Sequence, residues 1–170
     1  MNRMSHKTGK GFTLIELLIV IAIIGILAGI ILVAVDPAKR LKDARDARRS
    51  AEVNAILNAV LNYTVDNKGI LPAAIASTTN IMVIGSAGSG CDAICRTTAT
   101  AAACADLGGA GGIAPTYLST IPLDPLGHDA SIPITFDETK TGYYVQKTAA
   151  GRITVGACNP ESAGTISVTR

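Results

Sequence analysis

Residues Phe12–Val35 read FTLIELLIVIAIIGILAGIILVAV, and 20 of these 24 residues are hydrophobic. A helix of this length would be about 36 Å long, enough to cross a bilayer core of about 30 Å. The eleven residues before the run carry Arg3, Lys7 and Lys10 and no acid, which is typical of an export signal. The run exceeds the apolar region of a cleaved signal peptide, about 7–15 residues. We therefore predict a membrane-spanning helix here.

One carboxylate, that of Glu16, interrupts the apolar run. An acid costs about 2.5–3.5 kcal/mol at the middle of a membrane and less near an end, so such residues are usually paired. No Lys, Arg or His falls between Phe12 and Val35. The cation that pairs with Glu16 is therefore expected from a chain terminus or from another molecule.

The segment Lys10–Glu16, KGFTLIE, resembles the prepilin-type cleavage and methylation motif of type IV pilins and type II secretion pseudopilins. The continuation at 17–31, LLIVIAIIGILAGII, is similar to the same family. The resemblance implies that a membrane peptidase cleaves between Gly11 and Phe12 and that Phe12 becomes N-methylated. It also implies that the Phe12 amine of a neighbouring subunit pairs with Glu16 during assembly.

This resemblance implies a structural subunit of a type IV pilus or of a pseudopilus, and the sequence favours neither. The implied partners are pilin-like subunits of the same or another kind, prepilin peptidase, an inner-membrane assembly platform and membrane lipid. The precursor is expected to cross the cytoplasmic membrane once, with its body outside the cytoplasm, before joining an extracellular or periplasmic filament. The alternative is a single-span, membrane-anchored extracytoplasmic binding module that does not polymerise.

Two features depart from the family pattern. Val33 stands where many members have a proline, and the first proline here is Pro37. Any helix kink is therefore expected near Asp36, because the residue before a proline is disfavoured from helical geometry. The count of basic residues also opposes the implied orientation. Lys and Arg are in excess on the cytoplasmic side of membrane proteins, and the leader has three whereas Lys39–Arg49 has six. This count alone would place the body inside the cell. We follow the motif and expect the body to be exported.

The chain beyond the apolar run continues with a helical pattern. No Gly or Pro interrupts residues 38–67. One apolar stripe is formed by Val53, Ile56, Leu57, Val60, Leu61 and Val65. Gly69 and Pro72 provide the stop. We predict a single helix from Phe12 to about Asn67, whose second half packs on a sheet.

A run of basic residues lies at the start of this second half. Its six bases are Lys39, Arg40, Lys42, Arg45, Arg48 and Arg49. The simplest interpretation is a solvated or subunit-bridging helix, with Asp43 and Asp46 partly offsetting the charge. The alternative is contact with nucleic acid or with acidic lipid headgroups. No aromatic residues lie among the bases, which argues against stacking on single-stranded nucleic acid.

The four cysteines lie in the exported part of the chain and predict two disulfides. They are Cys91, Cys95, Cys104 and Cys158, and the sequence leaves all three pairings open. A zinc site is the rival, but the spacing lacks CxxC pairs and no His lies close to a cysteine in the sequence. Cross-links would offset a thin core, because only 31 of the 146 residues outside 12–35 are Leu, Ile, Val, Phe or Met.

Little in the sequence points to catalysis or to a cofactor. The only histidines are His6 and His128, and no nucleophile or metalloprotease motif is present. We expect that the chain binds no cofactor. We also expect it to be the substrate of a processing enzyme rather than an enzyme itself. A calcium site formed by Asp124 and Asp129 is a weak alternative, because their spacing fits no fixed pattern.

The C-terminal part predicts strands at Ile132–Phe136, Gly142–Lys147, Arg152–Ala157 and Thr165–Thr169, with a hairpin turn at Thr148–Gly151. A short helix is predicted within Thr97–Leu107. The fold class is α+β: a long N-terminal helix on a small antiparallel sheet, as in pilins. The predicted segments are the leader at 1–11, the membrane and filament-core helix at 12–35, the amphipathic helix at 36–68, a Gly/Ala/Ser/Thr-rich connecting loop at 69–130 and the sheet at 131–170.

Overall fold

The computed structural model describes residues 11–34, 36–129 and 134–170. These residues contain helices α1 (Leu14–Ala34), α2 (Pro37–Asp66) and α3 (Ala73–Ala76). The strands are β1 (Met82–Val83), β2 (His128–Asp129), β3 (Ile134–Thr135), β4 (Tyr143–Lys147), β5 (Ile153–Ala157) and β6 (Ser167–Thr169). The chain divides into two compact units, Met1–Arg40 and Leu41–Arg170. We call the second unit the body.

The described part of the first unit is α1 and the first turn of α2. Helix α1 contains a window, Leu14–Ile31, that is long and apolar enough to cross a membrane, and none of this window is buried within the chain. The predicted membrane-spanning helix is therefore present as a helix. Leader residues 1–10 and Val35, which were included in the predicted segments, lie outside the described residues.

The prediction of one uninterrupted helix is wrong, because α1 ends at Ala34 and α2 begins at Pro37. The interruption lies at Asp36, where only a kink of a continuous helix was predicted. The Asp36 carboxylate accepts hydrogen bonds from the backbone N–H groups of Ala38 (3.0 Å) and Lys39 (3.2 Å), which makes Asp36 the N-cap of α2. Proline is favoured directly after an N-cap, because the N–H that it lacks would have no helical partner there.

The predicted end of α2 is confirmed. The helix ends at Asp66, and the backbone of Lys68 and Gly69 follows with positive φ angles of 57° and 89°. The Gly69 N–H donates to the carbonyl of Thr64 at 2.8 Å. This bond closes the last turn, and glycine adopts such a conformation without steric cost.

The body is an α+β unit, which confirms the predicted fold class. Its four-stranded antiparallel sheet has the order β1-β4-β5-β6, and the predicted turn at residues 148–151 joins β4 to β5. The apolar stripe of α2 packs on the sheet in one core. The core includes Val53, Ile56, Leu57 and Val60 from α2, and Tyr143, Val145, Ile153 and Val155 from the sheet.

Three predictions for the body need correction. Strand β1 comes from the segment predicted as a loop, and it pairs with β4. Strand β3 pairs with β2 in a separate two-stranded sheet, while Ile132 and Pro133 of the predicted strand lie outside the described residues. Residues 97–107 form no helix. Ala101 and Ala105 donate instead to the carbonyls of Ile81 (2.8 Å) and Val83 (2.7 Å), so this segment covers the edge of β1.

The core predicts a large difference between two positions on α2. Ile56 is fully buried, whereas Val65 is 77% exposed. We expect Ile56→Ala to lower the free energy of unfolding by about 2–5 kcal/mol, because it leaves a cavity. The matched variant Val65→Ala should change it by less than about 0.5 kcal/mol. All four tyrosines lie in the body, so denaturant unfolding of the full chain in detergent can be followed by tyrosine fluorescence. Equal losses in the two variants would contradict this packing.

Candidate functional site

The first candidate site is the start of α1, where the sequence places Gly11, Phe12 and Glu16. Phe12 is 90% exposed, and a Cβ built on Gly11 would meet no atom within 4 Å. Both residues that flank the expected cleavage bond are thus open on the surface of the chain. Within the described residues, nothing covers either side of this bond.

Glu16 forms a capping box with Thr13, which the sequence analysis missed. The Glu16 Oε2 atom accepts hydrogen bonds from the Thr13 backbone N–H (2.7 Å) and hydroxyl (2.8 Å). In return, the Glu16 N–H donates to the Thr13 hydroxyl at 3.3 Å. A Thr followed three residues later by Glu is the sequence signal for this motif. Glu16 therefore supports the helix start within its own chain.

The side chains that follow Glu16 have no partner in the described chain. The large apolar side chains from Leu14 to Ile31 are each between 50% and 82% exposed. Exposed apolar area of this extent marks an interaction with a membrane or with another protein. The helix is apolar all round, so it can meet such an environment on every side.

The second candidate site is a cluster of charged residues in the body, centred on Arg49. The Arg49 side chain is completely buried. Its Nε and Nη2 atoms donate to the two oxygens of Asp124 at 2.8 and 2.6 Å. Its Nη1 atom donates to Asp46 at 2.7 Å and to Glu161 at 2.9 Å. Arg49 thus joins α2 to two separate loops of the body.

Asp46 holds the C-terminal loop against α2. Its carboxylate accepts backbone N–H bonds from Glu161, Ser162 and Ala163 at 2.6–3.1 Å. Arg45 adds a two-pronged contact to the Glu161 carboxylate at 2.5 and 2.7 Å. We call Arg45, Asp46, Arg49, Asp124 and Glu161 the ion cluster.

The hydrogen bonds of the ion cluster shift its ionisation. Burial opposes ionisation of Asp46, but the three N–H donors and the Arg49 guanidinium outweigh it and hold the pKa of Asp46 at about 2. The hydrogen bond from Arg45 is the main cause that lowers the pKa of Glu161. Burial likewise opposes charging of Arg49, yet its carboxylate partners raise the pKa of its guanidinium.

The position of Asp124 depends on a glycine. Gly142 has a φ of 85°, and a Cβ there would lie 2.7 Å from the Asp124 Cβ. The Asp124 N–H also donates to the carbonyl of Thr141 at 2.9 Å. A side chain at position 142 would strain the backbone and displace Asp124 from Arg49.

The ion cluster corrects two sequence expectations. The run of basic residues at 39–49 is not solvated throughout, because Asp46 and Arg49 are buried and Arg45 pairs with Glu161. Arg48 pairs with Glu52 at 2.8 Å. Asp124 does not belong to a calcium site, since both of its oxygens bind Arg49. No group of three or more candidate metal ligands occurs among the described residues. Sequence spacing could not reveal the cluster, because the two arginines on α2 lie 75–116 residues from their loop partners Asp124 and Glu161.

The cysteines form two disulfides, Cys91–Cys104 and Cys95–Cys158. The second closes a sequence separation of 63 residues. Bridges of this kind are worth roughly 3–4 kcal/mol. Next to Cys158, the Asn159 amide accepts from the Arg96 N–H at 3.2 Å and donates to the Ile94 carbonyl at 3.1 Å. Disulfide, amide and ion cluster together hold residues 158–163 in place.

Comparison with known proteins gives one family match. The model of the prokaryotic N-terminal methylation motif matches residues 7–32. This motif is the prepilin-type signal of type IV pilins and pseudopilins. The match covers the expected cleavage bond, Glu16 and most of α1, and it does not reach the body. Neither the curated proteins nor the solved structures give a match.

The ion cluster predicts unequal effects for two neighbouring arginines. Arg49→Leu would leave three carboxylates with Arg45 as their only cation in the cluster, so we expect it to cost about 3–5 kcal/mol of unfolding free energy. Arg48→Leu removes a pair whose arginine side chain is 64% exposed, and we expect a cost below about 1 kcal/mol. Denaturant unfolding of both variants measures the difference. Similar costs would contradict the role of the cluster.

The same cluster predicts acid sensitivity. Because the pKa values of Asp46 and Glu161 are lower in the folded chain than in the unfolded one, their contribution is present at neutral pH. It is lost as the pH falls from about 4.5 towards 2, where the carboxylates become protonated. The midpoint of thermal unfolding should drop across this range, and Asp46→Asn should flatten the drop. If the thermal midpoint of Asp46→Asn falls with pH as steeply as that of the wild type, the role assigned to Asp46 is contradicted.

Proposed function

We propose that this chain is the precursor of a pilin-type filament subunit, which is cleaved between Gly11 and Phe12 and assembles through α1. The observation that carries the proposal is the methylation motif at residues 7–32, which contains that bond. Hydrolysis frees the α-amine of Phe12, and its methylation leaves an amine that is cationic at neutral pH. The processed chain then begins with a cation four residues before Glu16.

The exposed surface of α1 supports this assembly. An apolar helix of this length fits a membrane-anchored precursor. Leaving the bilayer requires an equally apolar environment, which the α1 helices of other copies supply. Gly25 and Gly29 lie four residues apart, on one face of the helix, and neither would meet an atom within 4 Å if it carried a Cβ. Small residues at this spacing let apolar helices approach closely.

Glu16 sets the register between neighbouring copies. Its Oε2 atom is engaged by Thr13, while no hydrogen bond to Oε1 is found within the described residues. Each carboxylate oxygen can accept more than one bond. The Phe12 amine of a neighbouring copy can therefore bind Glu16 without breaking the capping box. In a bundle of low dielectric such a pair is favoured over either charge alone.

The partners of the precursor follow from this proposal. Prepilin peptidase acts on residues 11 and 12, and an assembly platform in the inner membrane receives the processed chain. The body lies outside the cytoplasm, where its two disulfides form and persist. Pilin-like copies of the same or another kind complete the filament.

Two substitutions at the start of α1 separate charge from helix capping. Glu16→Gln keeps a capping residue, since Gln also serves in a capping box, but it removes the charge. We expect normal cleavage and methylation, and at least about tenfold fewer filaments, because the Phe12 amine loses its partner. Thr13→Ala removes the capping hydroxyl and leaves the carboxylate, so filaments should persist. Cleavage is read by mass spectrometry and filaments by shearing and sedimentation. Wild-type filament yield from Glu16→Gln would refute the register role, as would an equal loss of filaments in Glu16→Gln and Thr13→Ala.

A substitution at the cleavage bond tests the processing step. Gly11→Val places a branched side chain beside the bond, where only glycine fits the motif that this chain resembles. We expect the leader to remain attached and filaments to be absent. Filaments built from uncleaved Gly11→Val would overturn the processing step. A chain that stays uncleaved even with Gly11 present, and performs its role in the membrane, would instead support a static anchored module.

A further inference from the structure

We propose that a cavity in the body binds a basic side chain from a second copy of this chain, supplied by residues Lys39, Arg40 and Lys42 at the start of α2. We call these three residues the basic segment. The proposal rests on the proposed function, because it names a contact between copies that the filament would repeat.

The cavity lies entirely within the body and has a volume of about 410 Å³. Two acidic residues, Asp106 and Glu138, line it together with Ser119 and Thr120. Ile84 and Ile121 supply apolar walls. A lining of this kind suits a long side chain with a charged end, whose methylene stem contacts apolar atoms while its head meets carboxylates.

Neither carboxylate has a cationic partner within the described residues. Asp106 Oδ1 accepts the backbone N–H groups of Gly108 (3.0 Å) and Gly109 (2.9 Å), which fixes the carboxylate without neutralising it. At Glu138 the backbone carbonyl accepts bonds from Ser86, and no salt bridge to its side chain occurs in the described ranges. The cavity therefore carries two negative charges that the chain leaves unbalanced.

The basic segment has the opposite deficit. Of the six bases between residues 39 and 49, Arg45, Arg48 and Arg49 form ion pairs within the chain. The remaining three, which make up the basic segment, are exposed and form no ion pair with any residue that the structure describes. Asp36, the nearest preceding acid, is committed to the N-cap of α2. Three cations thus lie within about one turn of a helix and form no ion pair with a carboxylate of the described residues.

A second copy satisfies both deficits at once. A lipid surface would bind the basic segment but would leave the cavity without a cation. A metal ion would need more ligands than two carboxylates, and no cluster of three or more candidate ligands is found among the described residues. In a filament every copy offers both the cavity and the basic segment, so one contact between unlike surfaces can repeat along the assembly.

Zero-length cross-linking tests the contact directly. Filaments are assembled from a mixture of ¹⁴N-labelled and ¹⁵N-labelled processed chains, which begin at Phe12, and are treated with a carbodiimide, which joins a lysine amine to a carboxylate in contact with it. We expect mixed-isotope peptides that join Lys39 or Lys42 to Asp106 or Glu138. Filaments that yield no such peptides, or that join these lysines only to acids elsewhere, would overturn the proposal while leaving the filament function standing.

Charge exchange provides the second measurement. Glu138→Lys should lower filament yield about tenfold, since it places like charges at the contact. The triple variant Lys39→Glu/Arg40→Glu/Lys42→Glu should restore yield when combined with Glu138→Lys. The exposed residue Asp92 does not line the cavity, so Asp92→Lys is the matched control and should have no effect. Tyrosine fluorescence verifies that each body is folded.

The outcomes separate this contact from the proposed function and from lipid binding. Equal filament yield from wild type and Glu138→Lys rejects the cavity contact alone. A second outcome would be that the triple variant no longer binds phosphatidylglycerol vesicles while Glu138→Lys leaves filament yield unchanged. This outcome assigns the basic segment to lipid binding and also rejects the cavity contact. A correctly cleaved and methylated wild-type chain that never polymerises rejects both proposals.

Discussion

Helix α1 imposes the main physical constraint on this protein, because its apolar window Leu14–Ile31 is not buried by its own chain. Exposure of so many large side chains to water is unfavourable by about 25 cal/mol for each Å² of apolar surface. The window therefore requires a bilayer or other apolar helices around it, both before and after assembly. Glu16 adds a second requirement, because a carboxylate in an apolar environment is usually paired with a cation. The proposed cleavage at Phe12 creates that cation at the correct end of the helix.

The body meets a different constraint, which is its small supply of large apolar residues. One core joins α2 to the sheet around Ile56 and Val145. The start of α2 within the body is held by charge instead, through Arg49 and its three carboxylate partners. A buried cluster of this kind contributes specificity and geometry as much as stability. Arg49 holds the loop at Asp124 against α2, and the Cys95–Cys158 disulfide acts with the cluster to hold the loop at Glu161.

The sequence was sufficient wherever the signal is local. Apolar content predicted α1, Asp36-Pro37 predicted where the helix is interrupted, and Gly69 predicted the end of α2. Alternating apolar residues predicted β4 and β5. The sequence was insufficient where partners are distant, as for Arg49 and Asp124, because spacing along the chain holds no information on such pairs. Residues 97–107 look helical by their alanine content, yet their N–H groups bind the edge of β1. The capping box of Thr13 and Glu16 was readable from the sequence and was missed, because the membrane cost of the carboxylate dominated the interpretation.

The mature N-terminus tests the central claim, which is that α1 acquires a cationic end opposite Glu16 by processing. Intact-mass and N-terminal peptide analysis of the chain purified from its native membrane measures this directly. The account predicts a chain that begins at Phe12 and carries a methyl group on the Phe12 nitrogen. A chain that retains Met1 and the leader, or one that begins at Phe12 but assembles equally well when Glu16 is replaced by Gln, would contradict it.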